Sequence, residues 1–132
     1  CLNAGPVDNS ELPIFLSALD AFVLPTQIEG CCTAIVEAIS CGLPIISADR
    51  SFNYDICGDD NSILVDPDDI NAIAAAIARL RDDGELRARL AQGSLDRAPR
   101  LELRKRVASI ANWMDMMTNG ALATCKVGPA NV

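Results

Sequence analysis

The chain has 132 residues, half of them hydrophobic but only 4% aromatic, and a formal net charge of −7. That length suits one domain able to bury about two thirds of the surface of its unfolded chain, and the shortage of aromatics makes the core aliphatic, which favours α/β or all-α packing. Residues 1–78 carry twelve acids against the single base Arg50, whereas residues 79–132 carry ten bases against six acids; so acidic a first part argues against a nucleic-acid surface there, because neutralising phosphates needs clustered Lys and Arg.

In chain order, Ser10 and Glu11 open a short helix through about Ala18, with Pro13 tolerable in the first turn and Ile14, Phe15 and Leu19 on one face. The compact apolar run at residues 21–24, stopped by Pro25, predicts a buried parallel strand. A helix from Thr33 to about Cys41 follows, with Gly42 placed to end it. Residues 43–47 form a second buried strand, residues 51–56 one or two helical turns, and residues 63–65 a short third strand. The acids of residues 66–69 favour a helix start, and Ile70, Ile73, Ala74, Ile77 and Leu80 recur at helical spacing to about Leu80.

A further helix spans about residues 85–95. The last, about residues 101–117, sets Leu103, Val107, Ile110, Met114 and Met117 on one stripe. Its bases Arg104, Lys105 and Arg106 read first as a solvated rim, with contact to a membrane surface as the lesser alternative. Residues 1–117 are therefore expected to form the folded domain and residues 118–132, rich in Gly, Ala and Pro, a disordered tail. This alternation predicts an α/β fold with an open parallel sheet, whose ligands gather at the carboxyl ends of the strands.

The six cysteines (Cys1, Cys31, Cys32, Cys41, Cys57 and Cys125) include no C-x-x-C pair, and the absence of histidine leaves no zinc set and no Ser-His or Cys-His mechanism. They read as small core hydrophobes in a reducing compartment. No apolar run approaches the length of a membrane span and no signal peptide opens the chain, so the cytoplasm is the expected location. A first residue of Cys1 rather than Met predicts a piece of a longer protein.

The stretch from Gln27 to Ile46, QIEGCCTAIVEAISCGLPII, places Glu37 alone in an apolar run that reads as buried. If a helix starts near Thr33, then Gly30, Cys31 and Cys32 offer backbone N–H groups at its positive end, which suits a phosphate, and Glu29 and Glu37 flank one pocket. An unpaired buried carboxylate is costly, and with Arg50 the only base in the first 78 residues, a polyhydroxyl ligand is a better partner for Glu37 than an internal cation. The other reading leaves Glu37 on an exposed helix side with no role.

Glu29 and Glu37, eight positions apart and followed by AISCGLPII, resemble the E-x(7)-E signature of the retaining nucleotide-sugar glycosyltransferases of family four, which have the B-type double-Rossmann architecture. The segments LPIFLSALDAFVLP before it and NSILVDPDDINAIAAAIARL after it resemble their counterparts too, over roughly residues 5–115. The resemblance implies a Rossmann-like open parallel sheet flanked by helices, an incomplete later part of the donor-binding half. It implies Glu29 as the catalytic group contacting the transferred sugar, Glu37 as the ligand of the donor ribose, and Gly30, Cys31, Cys32 and Thr33 as amide or hydroxyl contacts. An aromatic residue is common in the family where Cys31 stands, and a glycine where Ser62 stands. The family's Arg and Lys pair on the diphosphate lies upstream of these residues, as does the acceptor domain.

The expected function is the donor-binding part of an enzyme that passes a sugar, with retention, from a nucleotide diphosphate sugar to an acceptor, commonly in polysaccharide assembly. No metal and no cofactor beyond the donor substrate is implied, and the piece alone is expected to be inactive. Its expected partners are the donor, the acceptor domain and, through an uncovered apolar strand at residues 21–24, a second copy of itself. The alternatives are a noncatalytic flavodoxin-like module, with Glu37 solvated or paired with Arg50, and a nucleotide-sugar epimerase of the same architecture.

Overall fold

A computed structural model describes residues 3–30 and 32–124, which divide after Pro99 into two units. The first holds helix α1 (Leu12–Ser17), strand β1 (Phe22–Leu24), helix α2 (Thr33–Ser40), strand β2 (Ile45–Ala48), a 3-10 turn at Ser51–Asn53, strand β3 (Ser62–Val65), helix α3 (Ile70–Asp82) and nearly all of helix α4 (Gly84–Leu101). The second holds helix α5 (Leu103–Thr124). The three strands form one parallel sheet in the order β1-β2-β3, with Phe22 beside Ile45, Leu24 beside Ser47, Ile45 beside Ser62 and Ala48 beside Val65. The chain thus has the expected α/β, Rossmann-like open sheet flanked by helices.

Position in the sheet decides burial. The central strand β2 is buried along its whole length, as its unbroken apolar run requires. β1 was expected to be buried as well but is an edge strand: Val23 is 39% exposed and its neighbours are half-buried. A groove of about 550 Å³ along β1 has an apolar floor of Ala21, Val23 and Ile77 with Asp20, Arg81 and Arg87 also in its lining, and the cleft along β3 is lined by Asp49, Asp59, Arg79 and Arg89 beside Ile63 and Leu64. Charged side chains of this kind blunt a sheet edge against further pairing.

Helix α3 starts where the acidic run predicts, with the Asp69 carboxylate accepting from the N–H groups of Asn71 and Ala72 at 2.9 and 3.0 Å. Its Ala76 and Leu80 join Ile46, Val65, Leu86 and Leu90 in the core. Ile70, Ala74 and Ile77, expected on the same stripe, are exposed. In α1 the buried residue is Leu16, and Ile14, Phe15 and Leu19, the expected face, lie outward.

Helix α4 runs to Leu101, past the expected end at Leu95. In its added turn Arg97 grips the Asp60 carboxylate through Nε at 3.0 Å to both oxygens. One turn earlier, the buried Ser94 hydroxyl donates to the Leu43 carbonyl at 2.6 Å. Helix α5 likewise extends past Met117 into the segment expected to be a tail; the remainder of that expectation, residues 125–132, lies outside the described residues. Along α5 the side chains of Val107, Ile110, Trp113, Met114, Met116 and Met117 are each more than half exposed.

Candidate functional site

Gly42, with φ +75°, ends α2 and returns the chain to β2; because the three strands are parallel, the loop after β1 stands beside the loops after β2 and β3. Side chains from all three meet there. Gln27 Nε2 donates to Asp68 at 2.5 Å, and the Arg50 guanidinium lies 3.1 Å from Asp66 and 3.6 Å from Asp68. Arg50, the sole base of the first 78 residues, is thereby committed to two carboxylates of the β3–α3 loop. It is not the partner of Glu37, and among the described residues Glu37 has no ion pair.

The start of α2 differs from the starts of α3 and α4. Asp69 caps α3, and Asp83 accepts from the Leu86 N–H at 2.9 Å in the first turn of α4. At α2 the N-cap residue Cys32 makes no side-chain cap and the first turn holds no acid. Its first N–H groups therefore keep the partial positive charge of a helix N-terminus. Among the described residues, a Cβ added at Gly30 would meet nothing within 4 Å.

The expectation of a buried Glu37 is corrected by the structure: it is exposed. Ile35, Ala38 and Ile39 are the buried side of α2, and at 100° per residue position 37 falls opposite them. The apolar run conceals this because a linear reading ignores the helical period. Thr33, also exposed, lies four residues before Glu37 on the same outward face, about 6 Å along the axis. Glu37 lines a cleft of about 480 Å³ with Asn9, Leu12, Leu16 and Val36.

Of the other expected site residues, Glu29 is half-buried in the loop before α2 and Gly30 is exposed. Cys32 is only 6% exposed, so its thiol is withdrawn from the surface. Cys31 lies outside the described residues. Among the described residues Cys32, Cys41 and Cys57 are free thiols, and burial pushes the Cys57 thiol up to about 11. No group of three or more His, Cys, Asp or Glu among the described residues could hold a metal ion.

Sequence reasoning passed over Ser47 and Asn53. Both are fully buried, and the Asn53 amide donates to the Ser47 hydroxyl at 3.1 Å and to the Ala48 carbonyl at 2.8 Å. Ser47 in turn donates to the Leu24 carbonyl at 3.0 Å. The available signal was a hydroxyl near the carboxyl end of a strand otherwise made of apolar residues.

An open parallel sheet with an uncapped helix start beside the carboxyl end of a strand defines a Rossmann-like domain with its ligand face on that side. The family model for glycosyl transferases group 1 matches residues 3–97, and the chain belongs to that family. It is 36% identical over 80 residues to the O-antigen chain mannosyltransferase B of Escherichia coli, a match covering 60% of this chain and 21% of that protein. It is 37% identical over 75 residues to the UDP-Gal:alpha-D-GlcNAc-diphosphoundecaprenol alpha-1,3-galactosyltransferase of the same organism, covering 56% and 19%. With the lipopolysaccharide core biosynthesis mannosyltransferase LpsB of Rhizobium meliloti it shares 31% identity over 90 residues, covering 66% and 25%. The chain thus spans about a fifth to a quarter of the length of these relatives.

Proposed function

We propose that this chain is the donor-binding part of a glycosyltransferase that passes a hexosyl group, with retained configuration, from a nucleotide diphosphate sugar to an acceptor. The observation that supports it best is the uncapped start of α2, with Glu29 on its approach and Thr33 and Glu37 on its outward face. The diphosphate takes the uncapped N–H groups at the start of α2, in the manner of anions at helix N-termini. Glu37, unpaired and exposed, accepts two hydrogen bonds from vicinal ribose hydroxyls, and Glu29 meets the sugar in transfer. Charge on the leaving diphosphate is stabilised by these amides together with cations from outside this chain.

The activities named for the relatives, mannosyl transfer in O-antigen chain and lipopolysaccharide core synthesis and galactosyl transfer to a GlcNAc-diphosphoundecaprenol, support a hexose donor and a polysaccharide or glycolipid acceptor. The acceptor domain, a cytoplasmic setting and a second copy paired along the apolar β1 edge complete the proposal. No helix among the described residues is long and apolar enough to cross a membrane. Calorimetric titration of the whole parent protein with UDP and GDP tests the donor reading. Binding of one of them, weakened at least about tenfold by Glu37→Gln, the loss of one or two hydrogen bonds to a charged group, is expected; binding unaffected by that change, or no binding at all, overturns it.

A further inference from the structure

The loop that carries Glu29 must leave the sheet at a defined height and angle if that carboxylate is to meet a ligand at the start of α2. Its root is Leu24, the last residue of β1, and the Leu24 carbonyl is held from the side by the Ser47 hydroxyl at 3.0 Å. A serine hydroxyl has one proton. Spent on Leu24, it leaves Ser47 to accept, and the acceptor site is filled by the Asn53 amide at 3.1 Å. The second amide hydrogen of Asn53 is spent on the Ala48 carbonyl at 2.8 Å, one residue further along β2. Every donor is committed, so the direction of the relay is set: Asn53 to Ser47, Ser47 to Leu24.

Stability alone is a poor explanation for Asn53. Its side chain is fully buried, and its amide oxygen has no hydrogen-bond partner among the described residues, which offsets what its two donated bonds contribute. Both of its made bonds converge on the carboxyl end of β2, beside the root of the loop. We propose that Asn53 is a positioning residue for the loop of residues 25–32, acting through the Ser47 hydroxyl on the Leu24 carbonyl. It touches no ligand; it determines where Glu29 and Gly30 stand. The value of that placement to sugar transfer rests on the donor-binding reading, but the relay itself does not.

Backbone 15N relaxation on the 132-residue chain, without nucleotide, tests it. In the wild type, order parameters of residues 26–30 are expected near the rigid value of about 0.85, and in Ser47→Ala and Asn53→Ala to fall toward about 0.6 while α3 stays rigid. The double variant falls no further than the larger single change, because one path has been cut twice. Ser47→Thr, which keeps the hydroxyl, restores the wild-type values. A loop unchanged in Ser47→Ala, an equal loosening of α3, a double variant that adds the two effects, or a wild-type loop already below about 0.6 each overturns the relay. Should Asn53→Ala fail to fold, the comparison of Ser47→Ala with Ser47→Thr decides alone. Absence of nucleotide binding would sink the donor reading and leave this result untouched.

Discussion

Gly93 of α4 is pressed against the backbone of Asp60: a Cβ built on Gly93 would overlap the Asp60 carbonyl oxygen. Backbone cannot yield as the tip of a side chain can, so Gly93→Ala must push α4 off the turn before β3 and disturb the Ser94–Leu43 and Arg97–Asp60 contacts that follow it along the helix. The change is expected to lower unfolding free energy by about 3 kcal/mol, the upper end for overpacking, read by urea denaturation. Gly84→Ala, where the nearest neighbour is the end of the Arg87 side chain at 3.8 Å, serves as the tolerated control.

Asp60 and Arg97 make stability depend on pH. Hydrogen bonding to Arg97 holds the Asp60 carboxyl below its ordinary value of 3.8. A carboxylate with a depressed folded value contributes stability that is whole above 3.8 and is lost as the pH falls through the lower folded value. Asp60→Asn is therefore expected to flatten the acid limb of the melting-temperature curve below about pH 4 while leaving its slope near neutrality unchanged.

Asp69 gives α3 a side-chain cap of the kind that α2 lacks. Asp69→Ala is expected to cost about 1 kcal/mol of stability, and Asp69→Ser to restore most of it, measured by thermal unfolding. A loss much below this would mean that the helix start is held by the packing of Ala72 and Ile73 and not by the cap.

Cys57 is a buried thiol held up at about 11 against an ordinary 9.0, so near pH 8 its thiolate fraction is about a hundredfold below that of an unhindered cysteine. Alkylation followed residue by residue in a mass spectrometer should find Cys57 the slower of the pair Cys57 and Cys41 in the native protein. Denaturant should abolish the difference.

Much of this protein was determined by local sequence alone. The apolar run of β2, the acids before α3, Gly42 after α2 and the helical spacing around Ala76 and Leu80 specify their elements through backbone preference and burial, which act over a few residues. The E-x(7)-E spacing singles out Glu29 and Glu37 only as candidates. What only the tertiary structure decided depends on neighbours distant in the chain: that β1 is an edge and so half-exposed, that Arg50 is claimed by Asp66 and Asp68, that α4 continues so that Arg97 reaches Asp60, and that Asn53 and Ser47 hold the root of the loop. Glu37 stands between the two. Its outward face follows from 100° per residue once α2 is known to be a helix, but that no cation among the described residues pairs with it depends on where Arg50 and the bases of the later helices lie, since Arg50 goes to Asp66 and Asp68 and Arg97 reaches back to Asp60.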